Sequence, residues 1–423
     1  MAFSSAFSTL DVESYMRNLT LVLALAVALA LGSSHDTLRL SPVQQLSFLY
    51  QYDFVTWEAT HFPAKWLHWL GTRGFPFSNA TNPDLSGLTV QTYFELQQQA
   101  ESLRGELERA TAAGSADPSN TELRLRALDR RLQELRPWVE EALEAAVSDT
   151  LRQEKVPLSA WKLVFPPVDF ALDSLPTILI TSPRDRIQRL DDFLLVPHIT
   201  PRAREALEDS IARQENLSAL VEGIGGISTY PAIVSSSGLR EALVTASHEW
   251  LHNYLFFRPL GQSYRKDSDM STINETTANI FGEELGDMVY ARLTGEAPRV
   301  HSPGAPPEPC PQDRFCFQQE MRRTRGQAEL LFAQGKVEEA EAYMEERRQM
   351  FVKNGYLIRK LNQAYFAFHG TYADSPSSVS PIYEQLLEVR RASASLGAFI
   401  HRVAGNSSRR EFTDMLQRIR ANQ

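Results

Sequence analysis

The segment His248-Glu249-Trp250-Leu251-His252 constrains this chain more than any other. It lies in an apolar-rich stretch, Gly238 to Phe257, whose pattern predicts a helix. On a helix, positions four apart share a face, about 6 Å apart along the axis. His248 and His252 therefore present two imidazole nitrogens to one point, as a zinc ion requires. Glu249 is rotated about 100° from His248 and flanks that point without occupying it, where a general base for an activated water must stand. With nine histidines in 423 residues, a His-Glu-x-x-His match arises by chance at a level of about a per cent or two. The competing reading is a helix that buries two core histidines.

A catalytic zinc takes three protein ligands and leaves one position open. A third histidine in the pattern His-x-x-Gly-x-x-His is absent, because Leu255 and Arg258 stand at the corresponding positions. Ile273-Asn274-Glu275-Thr276-Thr277-Ala278-Asn279 follows instead, within a helix expected over Thr272 to Leu293. The two segments together resemble the gluzincin zinc metallopeptidases, whose third ligand is the glutamate of an Asn-Glu pair on the next helix. The match covers Gly225 to about Gly286. The resemblance implies one Zn2+ held by His248, His252 and Glu275, with Glu249 as the base. It also implies that Gly226, Ile227, Ser228, Thr229 and Tyr230 belong to an edge strand, running on to Val234, that pairs with an extended substrate. The residues agree, since the glycines and Pro231 favour an edge over a central strand. Exposed edge N–H and C=O groups can bind a peptide main chain by strand addition. Members of the family often carry Asp where Asn279 stands, one turn after Glu275. Asn can orient a ligand histidine through its side-chain oxygen, without the charge. Glu283 and Glu284 are rival third ligands, although such residues are more often solvated surface charges.

Sites of this family usually include a His or Tyr that donates to the oxyanion of the tetrahedral intermediate. Local chemistry points to Asn362 through Asp374, rich in hydrogen-bonding and aromatic side chains. His369 and Tyr372 straddle Gly370 there, as at a helix end, and Asp374 is placed to orient His369. The competing reading is an aromatic helix with a capping turn. Glu222, just before Gly223, is a candidate to hold a substrate amine if the activity is that of an aminopeptidase.

Outside these motifs the chain reads as α+β and mostly helical. A zincin-like catalytic core, a small mixed sheet with an edge strand plus active-site helices, is expected over 157–300. Residues 36–156 read as a helical region, with long helical stretches at 91–112 and 119–154 forming a hairpin. The aromatic-dense stretch 41–70 reads as helix packed on a core. Residues 301–423 read as a helical region contributing to the cleft, with a second hairpin over Gln318 to Lys353 turning near Gly335, then helices at Leu357 to Phe368 and Pro381 to Val403. Short β-rich runs fall at Lys162–Phe170, Thr177–Thr181 and Phe193–Val196, and Pro201–Arg213 reads as helix.

Residues 1–35 read as a signal peptide or an N-terminal membrane anchor. The run Leu19 to Leu31 is uncharged, preceded by Arg17 and followed by Gly32-Ser33-Ser34. It is short for a bilayer span of about 20 residues and fits a signal-peptide core. Either form sends the rest of the chain to the extracytoplasmic side, secreted or anchored by residues 18–32. A disulfide between Cys310 and Cys316 is sterically open to such a chain. The net charge of −9 argues against a general nucleic-acid binder. Asn-x-Ser/Thr sequons occur at Asn18, Asn79, Asn216, Asn274 and Asn406. The one beside Glu275 fits a non-glycosylating, bacterial source.

The expectation is a zinc-dependent peptidase acting on peptide or protein substrates. The alternatives are a non-catalytic, membrane-anchored helical scaffold with a vestigial zinc site, and a zinc hydrolase of a non-peptide substrate.

Overall fold

Helical periodicity and end-capping account for most of the architecture. The structure is a computed structural model, and it describes residues 40–61, 83–112, 119–156, 164–235, 238–299 and 315–422. The apolar run 19–31, Cys310, Asn18 and Asn79 lie outside these residues. Among the described residues no helix is long and apolar enough to cross a membrane.

The described residues up to Phe48 belong to one unit, and Leu49–Gln423 form another. The first holds α1 (Pro42–Ser47), started by a capping box in which Ser41 and Gln44 satisfy each other's backbone N–H groups.

The second unit begins with a helix over 54–61, whose Trp57 packs on Ala171 and Ile233. Next comes the expected hairpin, α2 (Pro83–Ala112) and α3 (Ser119–Gln153). Val139, Leu143, Val147 and Leu151 recur every fourth residue on α3 and are fully buried. Burying each such side chain contributes about 1.5–3 kcal/mol, so this stripe holds α3 against the core.

Among the described residues six short strands form two three-stranded sheets, where the sequence suggests one small mixed sheet. In the first, β1 (Phe170–Leu172) pairs in parallel with β6 (Ala232–Val234), and β6 pairs antiparallel with β5 (Gly226–Ile227). In the second, β2 (Thr177–Pro183) lies between β3 (Asp192–Leu195) and β4 (Leu217–Gly223), all antiparallel. Helix α4 (Pro201–Glu215) precedes β4. Thr200 caps its start, Pro201 sits at its first turn, and Asn216 ends it in the left-handed conformation at φ 54°.

Helix α5 (Leu239–Phe256) carries the His-Glu motif, and after the short α6 (Pro259–Gln262), α7 (Ser268–Thr294) carries Glu275. Asp267 caps α7, and Gly295 stops it at φ 76°. The two helices run antiparallel and very close. A Cβ on Gly282 would lie 2.9 Å from the Val244 carbonyl oxygen and 3.0 Å from the His248 Cβ, so only glycine fits there.

The second charged hairpin is α8 (Phe317–Ala333) and α9 (Val337–Lys353), turning at Gly335 with φ 73°. The helix expected over Leu357–Phe368 is shorter, α10 (Gln363–His369), and begins where Asn362 caps it. The residues ahead of it hold the chain to β4. Arg359 and Lys360 both reach the buried Glu208, and Arg359 and Asn362 donate to the Val221 and Ala219 carbonyls. The helix expected over Pro381–Val403 is two, α11 (Ile382–Arg391) and α12 (Leu396–Ala404), because Ser395 caps a fresh start. A last helix, α13 (Arg409–Ala421), falls inside the 301–423 region expected to be helical.

One hydrophobic core joins α2, α3, β1, β6, α5, α7, α11, α12 and α13. Cys316, at the head of α8, is disulfide-bonded.

Candidate metal centre

The antiparallel pair α5 and α7 brings the two sequence motifs together. His248 Nε2 and His252 Nε2 are 2.9 Å apart. Glu275 Oε2 lies 3.4 Å from His252 Nε2 and 3.7 Å from His248 Nε2. The donor atoms of His248, His252 and Glu275 all lie within 4.8 Å of one another, a group that could hold a metal ion. Each imidazole is oriented from behind. His252 Nδ1 bonds to Asn274 Oδ1 at 2.9 Å, and the His248 ring is hydrogen-bonded by Asn279 and the Ala278 backbone.

Burial and mutual charge set the protonation of the group. Burial, then the His252 charge, pulls His248 down to about 3. Burial also opposes charge on His252, but the Glu275 carboxylate outweighs it and raises His252 to about 9. Burial acts to raise Glu275 too, yet the His252 charge and hydrogen bond bring it down to about 2. Glu249, 6% exposed, is raised by burial to about 7.

Gly226 is required beside this base. A Cβ there would lie 2.6 Å from Glu249 Oε1 and 2.6 Å from Thr245 Cγ2, so the backbone of β5 passes directly over the carboxylate. β5 is an edge of its sheet, as expected, but it is only Gly226–Ile227. The run expected to be one strand to Val234 is a hairpin. Ser228, Thr229 and Tyr230 form its turn, because the Thr229 N–H donates to the Ile227 carbonyl, the Thr229 hydroxyl donates to the Pro231 carbonyl, and Asn253 of α5 anchors the Thr229 carbonyl at 3.1 Å.

The rival ligands are elsewhere. Glu284 is held by Arg390 in bonds of 2.8–3.0 Å, and Glu283 is exposed. Glu222 sits opposite Ile178 in the β4 ladder, where its charge acts on Arg359 and Tyr365.

The two candidate oxyanion donors divide. The charges of Glu275 and Glu249, together with burial, hold the Tyr372 hydroxyl well above its ordinary range, with Glu275 the largest cause. The Tyr372 hydroxyl thus feels the charge of both carboxylates of the centre. His369 is lowered to about 4 by burial alone and packs against Tyr365 and Phe368, with ring centroids 4.3 and 5.0 Å away. Asp374, expected to orient His369, instead accepts from Asn279 Nδ2 at 3.0 and 3.2 Å. The reason is docking of its loop on α7, where the Ala373 N–H donates to Thr276 Oγ1 at 2.9 Å.

Two residues of the centre escaped the sequence reading. Tyr264 donates to Glu275 Oε1 at 2.5 Å, and its own hydroxyl is raised by burial and then by the Glu275 charge. It lies in the irregular link between α6 and α7, where no periodicity marks it. Asn274 was visible as half of the Asn-Glu pair, which is the signal that could have assigned it to His252. Buried to 2% exposure, its side chain has no room for a glycan.

The sequence matches no family model, and no curated protein or solved structure matches it.

Proposed function

We propose that this chain is a zinc-dependent peptidase of the gluzincin type. The observation that carries the reading is the convergence of His248 Nε2, His252 Nε2 and Glu275 Oε2 beside the buried Glu249. The donor set fits zinc, which takes two imidazoles and a carboxylate in catalytic sites. The Asn274 bond occupies the far nitrogen of His252 and turns its Nε2 to the common point, where a bound ion would take the place of the proton that Glu275 favours. When bound, zinc supplies Lewis acidity, acidifying water and polarising a substrate carbonyl.

The chain's own residues supply the rest. Glu249, held up to about 7, takes a proton from water on its carboxylate oxygens near neutral pH and returns it to the leaving amine. Tyr372, held protonated, donates to the oxygen on which charge develops. The substrate main chain adds to the free edge of β5, which Gly226 brings against the base. In this reading the sheet β1-β6-β5 with α5 and α7 is the zincin-like core. An extracytoplasmic setting agrees with the apolar run 19–31 and with the disulfide at Cys316.

Metal analysis of the purified chain beside Glu249→Gln, with cleavage of a mixed peptide library, tests the proposal. Stoichiometric zinc in both with cleavage lost only in the variant supports it. A wild-type chain that takes up no zinc at micromolar supply overturns it.

A further inference from the structure

The geometry points to Asp374 as the positioning residue that supplies, through Asn279, the negative charge behind His248. This rests on the zinc reading of the same site.

Asn279 sits one turn after Glu275 on α7 and one turn before Gly282, whose missing side chain lets α7 press against His248. Its amide has two ends. Nδ2 donates to both oxygens of Asp374, at 3.0 and 3.2 Å, which leaves Oδ1 to accept from the His248 ring. The His248 Nε2 faces the metal position, so the ring's other nitrogen is the one held. Hydrogen bonds in series polarise one another in a low-dielectric setting, so a carboxylate at the far end still raises the basicity of the ligand nitrogen.

Asp374 is fixed in place to serve this role. The Ala373 N–H on Thr276 and the Ser375 N–H on the Tyr372 carbonyl pin the loop on both sides of it. Burial, with the Glu275 charge acting the same way, holds its carboxyl above the ordinary aspartate range, and the Asn279 bond is the largest influence favouring the charged form. An aspartate at position 279 would place the charge directly on the imidazole. Here the charge stands one amide farther out, on a loop from another part of the chain. The same loop carries Tyr372, so docking it orients a metal ligand and delivers the oxyanion donor together.

The test moves the charge along the link in the full chain and reads zinc affinity by competition with a chromogenic chelator. Asp374→Asn keeps an acceptor for Asn279 but removes the charge, and affinity is expected to fall about 10- to 100-fold. The double variant Asn279→Asp with Asp374→Asn returns the charge to the imidazole and recovers most of that loss. Asn279→Ala, which cuts the link, falls as far as Asp374→Asn and serves if that variant does not fold. Thermal unfolding of the metal-free forms checks folding. Wild-type affinity in folded Asp374→Asn overturns the inference, and so does a double variant as weak as the single one. A wild-type chain without zinc overturns the metal reading itself and the relay with it, an outcome distinct from zinc binding that ignores Asp374.

Discussion

The helix pairs α2/α3 and α5/α7 pack in opposite ways. The hairpin buries an apolar stripe and leaves most of its charges in solvent, with Glu140 the buried carboxylate that accepts from the Leu172 N–H, so its stability comes mainly from area removed from water. The α5/α7 pair buries Ser247, Glu249, Asn274, Glu275, Thr276, Thr277, Glu284 and Asp287. Buried polar groups cost free energy unless each finds a partner. Most of these are matched: Glu284 by Arg390, Asp287 by Arg240, Ser247 and Thr277 by carbonyls one turn back. Glu249 is the exception, a carboxyl raised by burial with no cation bonded to it among the described residues. One pair is built for stability, and the other carries a group that stability alone would not retain.

Substitutions should separate the two pairs cleanly. Glu249→Gln has the largest expected effect, a drop in peptide turnover of about 10²- to 10⁴-fold with zinc content unchanged. Turnover on the library substrate and metal analysis check it, and retained turnover would place the base elsewhere. Leu143→Ala in the hairpin is the mirror case. It should cost about 2–5 kcal/mol in denaturant unfolding, while zinc affinity stays at the wild-type value. A hairpin variant that lost zinc would show that the core shared by the two pairs also sets the geometry of the centre.

The pH dependence of the metal-free chain sharpens the contrast. Glu249 is raised from 4.5 to about 7 in the folded state. The folded chain therefore holds this proton more tightly than the unfolded one. Its contribution to stability is complete below 4.5 and is lost as pH rises through about 7. Unfolding of the chelated protein by denaturant should show Glu249→Gln removing a slope worth on the order of 3 kcal/mol across that window. An unchanged slope would mean that other groups set it. Next in size is Gly226→Ala, whose Cβ must displace Glu249 Oε1 or Thr245 Cγ2. The expected cost is about 1–3 kcal/mol of stability, with turnover lowered and zinc retained, as read by unfolding and kinetics.

The same difference explains what was legible beforehand. The hairpins, α5 and α7 follow from periodicity, His248 and His252 as donors from helical spacing, and Glu275 from the resemblance that the Asn-Glu pair carries. Local order carries that information. What escaped depends on contacts far apart in sequence. Position 374 reads as a neighbour of His369, but the Thr276 bond turns the loop so that Asp374 meets Asn279. The run 226–234 reads as one edge strand because its glycine and Pro231 favour an edge over a centre, whereas the turn is set by Asn253 on another element. β4 went unread because it carries no motif, and its pairing is decided by β2.

Tyr264→Phe gives the smallest expected effect and the finest cut through the centre. The Tyr264 hydroxyl holds Glu275 Oε1 at 2.5 Å, and this leaves Oε2 as the oxygen facing both imidazoles. A carboxylate so divided ligates through one oxygen, and the hydrogen bond prevents it from turning. The substitution keeps the ring and its packing but removes the donor. Glu275 would then rotate, and ordering it around a metal would cost more. Zinc affinity should fall about tenfold, at the low end of what such outer partners contribute. Chelator competition measures the affinity. Unchanged affinity with lowered turnover would instead move Tyr264 from holding the ligand to acting on the substrate, beside Tyr372, whose hydroxyl feels Tyr264 as well as the two carboxylates.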